Sequence, residues 1–206
     1  MLSNTQRRPA SWIEELHGRR RDVRSPTTPA DYFSTATAIL VAKGHHALKM
    51  TTVCKALGVT TGSFYNYFDS WGEFVNQLLS HWEREQLLLM EKVMDSGRSG
   101  PATDLCGLRT IAAHLSNKSG TAFRAWATGD PLVAEVQRRI DERRSTILTR
   151  AIRTAVSDDA TARRLTVVIL TLLVGSQFLP DQDPSDGFLL EYIEDLVRRS
   201  IVRTPR

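Results

Sequence analysis

The residues whose types and spacing best suit a chemical task lie between Val53 and Phe68, and they are hydrogen-bonding groups rather than acids, bases or nucleophiles. In the run Val53-Cys54-Lys55-Ala56-Leu57-Gly58-Val59-Thr60-Thr61-Gly62-Ser63-Phe64, Val53 and Leu57 stand one helical turn apart. Gly58 can supply the positive φ of a tight turn, and Val59, Phe64 and Phe68 continue the apolar side. That pattern leaves Thr60, Thr61, Ser63, Asn66 and Tyr67 pointing outward. Short polar side chains without negative charge suit a helix that must approach base edges and phosphates in a DNA major groove. A generic pair of packed helices would show similar spacing, so the pattern alone leaves both readings open.

Other chemistries lack a constellation. His45 and His46 are adjacent, do not share a helix face, and have no carboxylate or cysteine at ligand spacing, so no metal is expected. Ser, His and Asp occur without a nucleophile elbow, and no glycine-rich loop could cradle a phosphate. We therefore expect neither an enzyme nor a cofactor. Cys54 and Cys106 have no CxxC partner, which argues against a disulfide framework or a zinc site.

The elements that would position these residues are helices. The chain has 206 residues, 41% hydrophobic and 24% charged, enough for one ordinary helical domain or two small ones. Stripes of period 3.6 recur along it, and strand-like alternation does not, so an all-α fold is expected: an N-terminal three-helix domain containing the helix-turn-helix and a larger helical C-terminal domain. Thr28 and Pro29 read as N-cap and first residue of a helix ending at Gly44. Short helices follow at Met50 to Leu57 and Thr61 to Tyr67, and Asp69 or Ser70 then caps a long one reaching about Met94. After the turn-rich Asp95 to Pro101, helices are expected near 103–116, 120–127, 131–156, 159–179 and 185–202, with 180–186 as a loop. The expected organisation is a basic arm over 1–27, a DNA-binding domain over 28–80 and a ligand-binding and dimerisation domain over 81–206. The one sizeable apolar run, Val167 to Val174, is too short to cross a bilayer, and the N-terminus lacks a signal-peptide core; a cytoplasmic protein is expected.

Charge is uneven. Residues 1–27 carry six arginines against three carboxylates, a net of +3, whereas 28–80 are neutral. A basic arm beside a DNA-reading motif could bind phosphates, and alone it would be a solvated tail.

Taken together, Gly44, Val53-Cys54, Leu57-Gly58-Val59-Thr60 and Gly62-Ser63-Phe64-Tyr65-Asn66-Tyr67-Phe68 resemble the TetR family of transcriptional regulators over about residues 28–80. Phe123-Arg124-Ala125-Trp126-Ala127, Asp130-Pro131, Ile140-Asp141-x-x-Arg144 and Leu78-Leu79-x-x-Trp82-Glu83 resemble a branch with an R-x-W-A stretch in its C-terminal domain. The resemblance implies a homodimeric all-helical regulator whose C-terminal domain binds a small molecule that releases the DNA. Three positions depart from it: the family commonly has lysine where Thr61 and Trp71 stand, and threonine or serine where Lys49 stands. Fewer cations mean weaker phosphate attraction, and the arginine-rich arm could compensate.

From these residues, Thr61, Gly62 and Asn66 are expected to read bases, and Thr52, Thr60, Tyr65 and Tyr67 to hold phosphates, with Thr51 and Ser63 in the same surface. Trp82, Gln86 and Met90, at one-turn spacing, are expected with His114, Phe123 and Trp126 around a cavity for a small hydrophobic effector. Leu165, Val168, Ile169, Leu172, Leu173, Leu179, Phe188, Tyr192 and Leu196 form the expected homodimer stripe. The expected function is a ligand-responsive regulator, a repressor binding a palindromic operator in double-stranded DNA. The alternative is a helical dimer that has lost DNA binding and serves as a small-molecule-binding or interaction module.

Overall fold

The computed structural model describes residues 27–96, 118–178 and 187–202. The arm up to residue 26, the helix expected at 103–116 and the loop expected at 180–186 lie outside them. The described residues form eight α-helices and one 3₁₀ turn, with no strand among them. They divide into two compact units, residues 1–74 and 75–206.

In the first unit, α1 (Pro29–Lys43) begins as its sequence dictates. The Asp31 carboxylate accepts from the Thr28 backbone N–H at 2.7 Å and from the Thr28 hydroxyl at 2.8 Å, and Pro29 has no N–H to leave unpaired. A 3₁₀ turn (His45–Ala47) leads to α2 (Met50–Leu57), which stops at Gly58 with φ of 71°, the left-handed conformation a glycine adopts without a Cβ penalty. Then comes α3 (Thr61–Tyr65), only five residues long. The next helix, α4 (Trp71–Ser96), starts where the Ser70 hydroxyl accepts from the Glu73 N–H at 3.0 Å, so Ser70 rather than Asp69 is its cap.

An aromatic cluster fills this unit. Tyr32 meets Phe64 and Phe68 edge-on at 5.8 and 5.4 Å, and Phe74 lies 5.4 and 5.0 Å from the same two rings. Edge-to-face pairs of this kind add to plain area burial. The Tyr32 hydroxyl is buried without a hydrogen-bond partner among the described residues, and burial pushes its pKa up.

The second unit contains the rest of α4, α5 (Lys118–Ala127), α6 (Pro131–Arg153), α7 (Asp159–Ser176) and α8 (Gly187–Val202). Asp130 caps α6 by accepting from the Leu132 N–H at 3.0 Å, and Asp158 caps α7 through the N–H groups of Ala160 and Thr161. The inward face of α6 is apolar at Val133, Val136, Ile140, Ile147 and Leu148, yet it also buries Gln137 and Arg144. Those polar groups are satisfied together: Arg124 holds the Asp141 carboxylate with two bonds of 2.7 and 2.8 Å, and Arg144 and Gln137 each donate to Asp141 at 3.1 Å. Bidentate guanidinium–carboxylate pairing is among the stronger polar contacts, and here it joins α5 to α6. On the surface of the same unit, Arg139 grips Glu83 through two bonds of 2.7 Å, which holds the Glu83 carboxyl below its usual range.

Burial pushes Asp141 towards the neutral acid, but the Arg124 hydrogen bonds and the charges of Arg124 and Arg144 outweigh it, so its pKa lies below the usual carboxylate value. A lowered native pKa contributes stability above about pH 4, the unfolded value, that is lost as pH falls through the native value. Asp141→Asn is expected to destabilise the fold at pH 7 by about 2 kcal/mol, less than for a fully buried pair because the Asp141 side chain is 36% exposed. In urea melts, the gap between variant and wild type should close below pH 4; a gap constant down to pH 2.5 would contradict this ion-pair account.

Candidate nucleic-acid interface and ligand cleft

An isolated helix of five residues cannot form in water, so α3 exists because its surroundings hold it. One hold is Phe64, fully buried in the aromatic cluster. The other is the Thr60 cap, whose Oγ1 accepts from the Ser63 N–H at 3.1 Å and lies 3.0 Å from the Ser63 hydroxyl. With Phe64 inward, Thr61, Gly62, Tyr65 and Asn66 stand exposed on the other side, Ser63 is half-buried, and Thr51 and half-buried Thr52 lie in the first turn of α2. Thr60 and Ser63 therefore shape the surface as well as belonging to it. Segment 45–67 contains two lysines and no carboxylate, so nothing in it repels a phosphate backbone.

Two details sharpen this surface. A Cβ added at Gly62 would meet only the Thr60 Oγ1, at 3.6 Å, an ordinary contact. The fold therefore does not need glycine there, and a glycine inside a helix carries a stability cost of about 1 kcal/mol relative to alanine. Tyr67 donates its hydroxyl proton to the Thr27 carbonyl, tying the end of the recognition segment to the residue at which the arginine-rich arm leaves the described structure. That proton is then unavailable to a phosphate unless the tie opens.

The departures from the expected pattern have local consequences. Lys49 occupies the N-cap of α2 but makes no side-chain cap, as its ammonium cannot accept a hydrogen bond. Trp71 packs 5.0 Å from Phe74 and 6.2 Å from Phe64, so an aromatic buttress stands where the family pattern has a phosphate-binding lysine.

In the second unit, the residues expected around an effector are only partly brought together. Trp82 stacks on Phe123 with ring centres 4.3 Å apart and planes within 7°, and Trp126 lies 6.1 Å from Phe123. These three rings pack as core rather than surrounding a void. Met90 is also buried, and His114 lies outside the described residues. Beside the stack opens a cleft of about 360 Å³ lined by Trp82, Glu85, Gln86, Leu88, Leu89, Lys92 and Ser119. Trp82 and Gln86 thus reach a cleft, whereas Met90, Phe123 and Trp126 are not among its walls.

The expected dimer stripe divides into two faces. Leu165, Ile169 and Leu173 are buried in the unit's own core. Val168, Phe188 and Tyr192 are exposed, joined by Val167 and Phe178, with Leu172 and Leu196 half-buried. Leu179 lies outside the described residues. A helix apolar on nearly all sides has two faces to cover, and one remains open here.

The Arg124, Asp141 and Arg144 cluster is a feature that residue spacing does not announce as a site. A signal is nevertheless present: Gln137 and Arg144 interrupt the apolar stripe of α6 seven residues apart, on the face the periodicity buries. Among the described residues no group of three His, Cys, Asp or Glu side chains could hold a metal ion, and no helix is long and apolar enough to cross a membrane.

Residues 33–78 match the family model of the bacterial regulatory proteins of the tetR family. No curated protein matches the chain. Among solved structures, a TetR-family transcriptional regulator from Streptomyces coelicolor superposes with a TM-score of 0.69 at 18% identity, covering 84% of this chain and 95% of that one. A TetR transcription regulator from Haloarcula marismortui gives 0.63 at 15% identity, covering 86% and 98%. A bacterial regulatory protein in the tetR family from Rhodococcus gives 0.63 at 16%, covering 86% and 98%. The fold is that of these solved structures, and the match to the family model lies within residues 33–78.

The loose fit around Gly62 leads to opposed expectations. Gly62→Ala should raise the stability of the free protein by about 0.5 to 1 kcal/mol in thermal or urea melts. The same methyl group, on the face expected to approach base edges, should weaken duplex binding by about tenfold or more. Unchanged affinity for a specific duplex would remove Gly62 from the interface.

Proposed function

We propose that the chain is a ligand-responsive transcriptional repressor that binds a palindromic operator as a homodimer and is released by a small hydrophobic effector held in its second unit. The observation that carries the reading is the exposed, carboxylate-free face of Thr61, Gly62, Tyr65 and Asn66 on a helix anchored from behind by Phe64, in a domain matched by the tetR family. In this reading Asn66 pairs with a base, adenine being its best bidentate partner, while Thr51, Thr52, Thr60 and Tyr65 engage phosphates.

The open apolar face on α7 and α8 supports dimerisation. Val167, Val168, Phe178, Phe188 and Tyr192 are each more than 40% exposed, a patch that a second copy could cover through an isologous contact. Two-fold symmetry then places two recognition helices against successive major grooves, which is why the operator would be a palindrome. The arginine-rich arm adds the net positive charge that the neutral 28–80 region lacks, and it joins the described structure at Thr27, which the Tyr67 hydroxyl holds.

Selection from a random duplex pool should enrich a two-fold symmetric site. Val168→Arg, at an exposed position, should leave helicity unchanged, convert the dimer to a monomer in light scattering and abolish binding to the full site. No enrichment from the pool, with a dimer still present, would favour the alternative of a helical dimer without DNA binding.

Deleting residues 1–24 should reduce the log–log salt slope of duplex binding by about 0.9 for each phosphate that the arm neutralises. An unchanged slope would assign the arm to another task.

A further inference from the structure

Two cations and one anion meet inside the second unit. Arg124 and Arg144 share the single carboxylate of Asp141, and Arg144 is only 6% exposed. Among the described residues one buried positive charge is therefore left without a counter-ion, and burial pushes the Arg144 pKa down to about 10. What Arg144 has in addition is an amide: its Nη2 donates to the Gln86 Oε1 at 2.6 Å.

That bond fixes which way Gln86 faces. A guanidinium only donates, so the amide oxygen must point at Arg144 and the NH2 end must donate elsewhere. Gln86 is buried and forms part of the cleft wall, so the positive charge behind it is one side chain away from the cleft.

A second observation lies one helical turn earlier. Trp82 also lines the cleft, is only 5% exposed, and its indole Nε1–H is buried with no acceptor among the described residues. A buried donor without a partner is costly, so an acceptor arriving there would be favoured. The stack on Phe123 holds the ring in place. At the rim, Glu85 and Lys92 oppose each other in sign, and Glu85 sits 3.3 Å from His81, so the rim adds no net charge to select a ligand. Leu88 and Leu89 provide apolar wall.

We infer that this cleft takes an organic carboxylate, its oxygens accepting from the Trp82 indole N–H and the Gln86 amide and its negative charge balancing the Arg124–Asp141–Arg144 cluster. The apolar body of the ligand lies along Leu88 and Leu89. The inference rests on the sensor reading only for its consequence at DNA; the site stands on its own geometry. It narrows the effector from any small hydrophobic molecule to a monoanion with an apolar tail.

Calorimetric titration of the full chain with octanoate, 4-phenylbutyrate and the primary amides of both acids tests it. The acids should bind at least about tenfold more tightly than their amides, because only they bring the missing charge. Gln86→Glu places a carboxylate beside Arg144, so it should lose acid binding while its melting temperature stays equal to or above that of the wild type. Trp82→Phe keeps a stacked ring but removes the N–H, and should weaken the acids about fivefold or more. Equal binding of acids and amides, binding of none of the four, or an acid preference that survives in Gln86→Glu would each overturn the site. Release of the selected duplex by an amide alone would also overturn it, leaving the sensor reading intact. Acid binding that leaves duplex affinity unchanged would uphold the site and overturn the sensor reading instead.

Discussion

The burial of Phe64 is the contact on which the proposed DNA-reading surface depends. A five-residue helix has no stability of its own, so the orientation of every exposed group on α3 is inherited from one ring packed among Tyr32, Phe68, Trp71 and Phe74. The Thr60 cap adds a hydrogen bond, but it closes only the first turn. Because Phe64 and the exposed residues alternate along the same short segment, the ring that fixes the core also fixes the surface. The exposed side is kept free of charge, and none of Thr61, Gly62, Tyr65 and Asn66 is buried in the core.

The second unit works on a different principle. Its core includes ionised groups, and a buried ion pair seldom gains stability over apolar packing of the same volume. Arg144 is a large cation placed where Ile140 and Ile147, on the same helix face, show that an apolar residue would fit. A fold that needed only stability would have little use for it. Together with an indole donor lacking an acceptor, it makes this unit a structure whose polar groups are incompletely matched in the free state. The contrast between an apolar first unit with a polar face and a second unit with a polar, partly unmatched interior parallels the proposed division between reading DNA and holding a ligand.

Much of the architecture is legible in the sequence because it is written in local signals. Thr28-Pro29, Gly58, Ser70 and Asp130-Pro131 mark helix ends through chemistry that depends on neighbours only, and the structure starts or stops helices at each. The outward set on α3 follows from the same periodicity that buries Phe64. What escapes is pairing across elements. Periodicity places Trp82 and Phe123 on buried faces but does not say that they stack on each other; the stack closes the space in which a cavity is expected and leaves the opening beside Leu89 and Ser119 instead. Likewise Leu165 and Val168 are alike in type, and only packing decides that one is core while the other remains open. The Arg124–Asp141–Arg144 cluster joins residues up to twenty positions apart, beyond what helical spacing can reveal.

The central claim, that the α2–α3 face is a DNA-reading surface, is tested most directly by amide chemical-shift mapping of isotope-labelled protein titrated with a duplex selected from a random pool. The account predicts that the largest shifts fall at Thr51, Thr52 and from Thr60 to Asn66, with the backbone amides of α6 little affected. Shifts concentrated elsewhere in the chain, or no shifts at duplex concentrations that saturate binding, would contradict it.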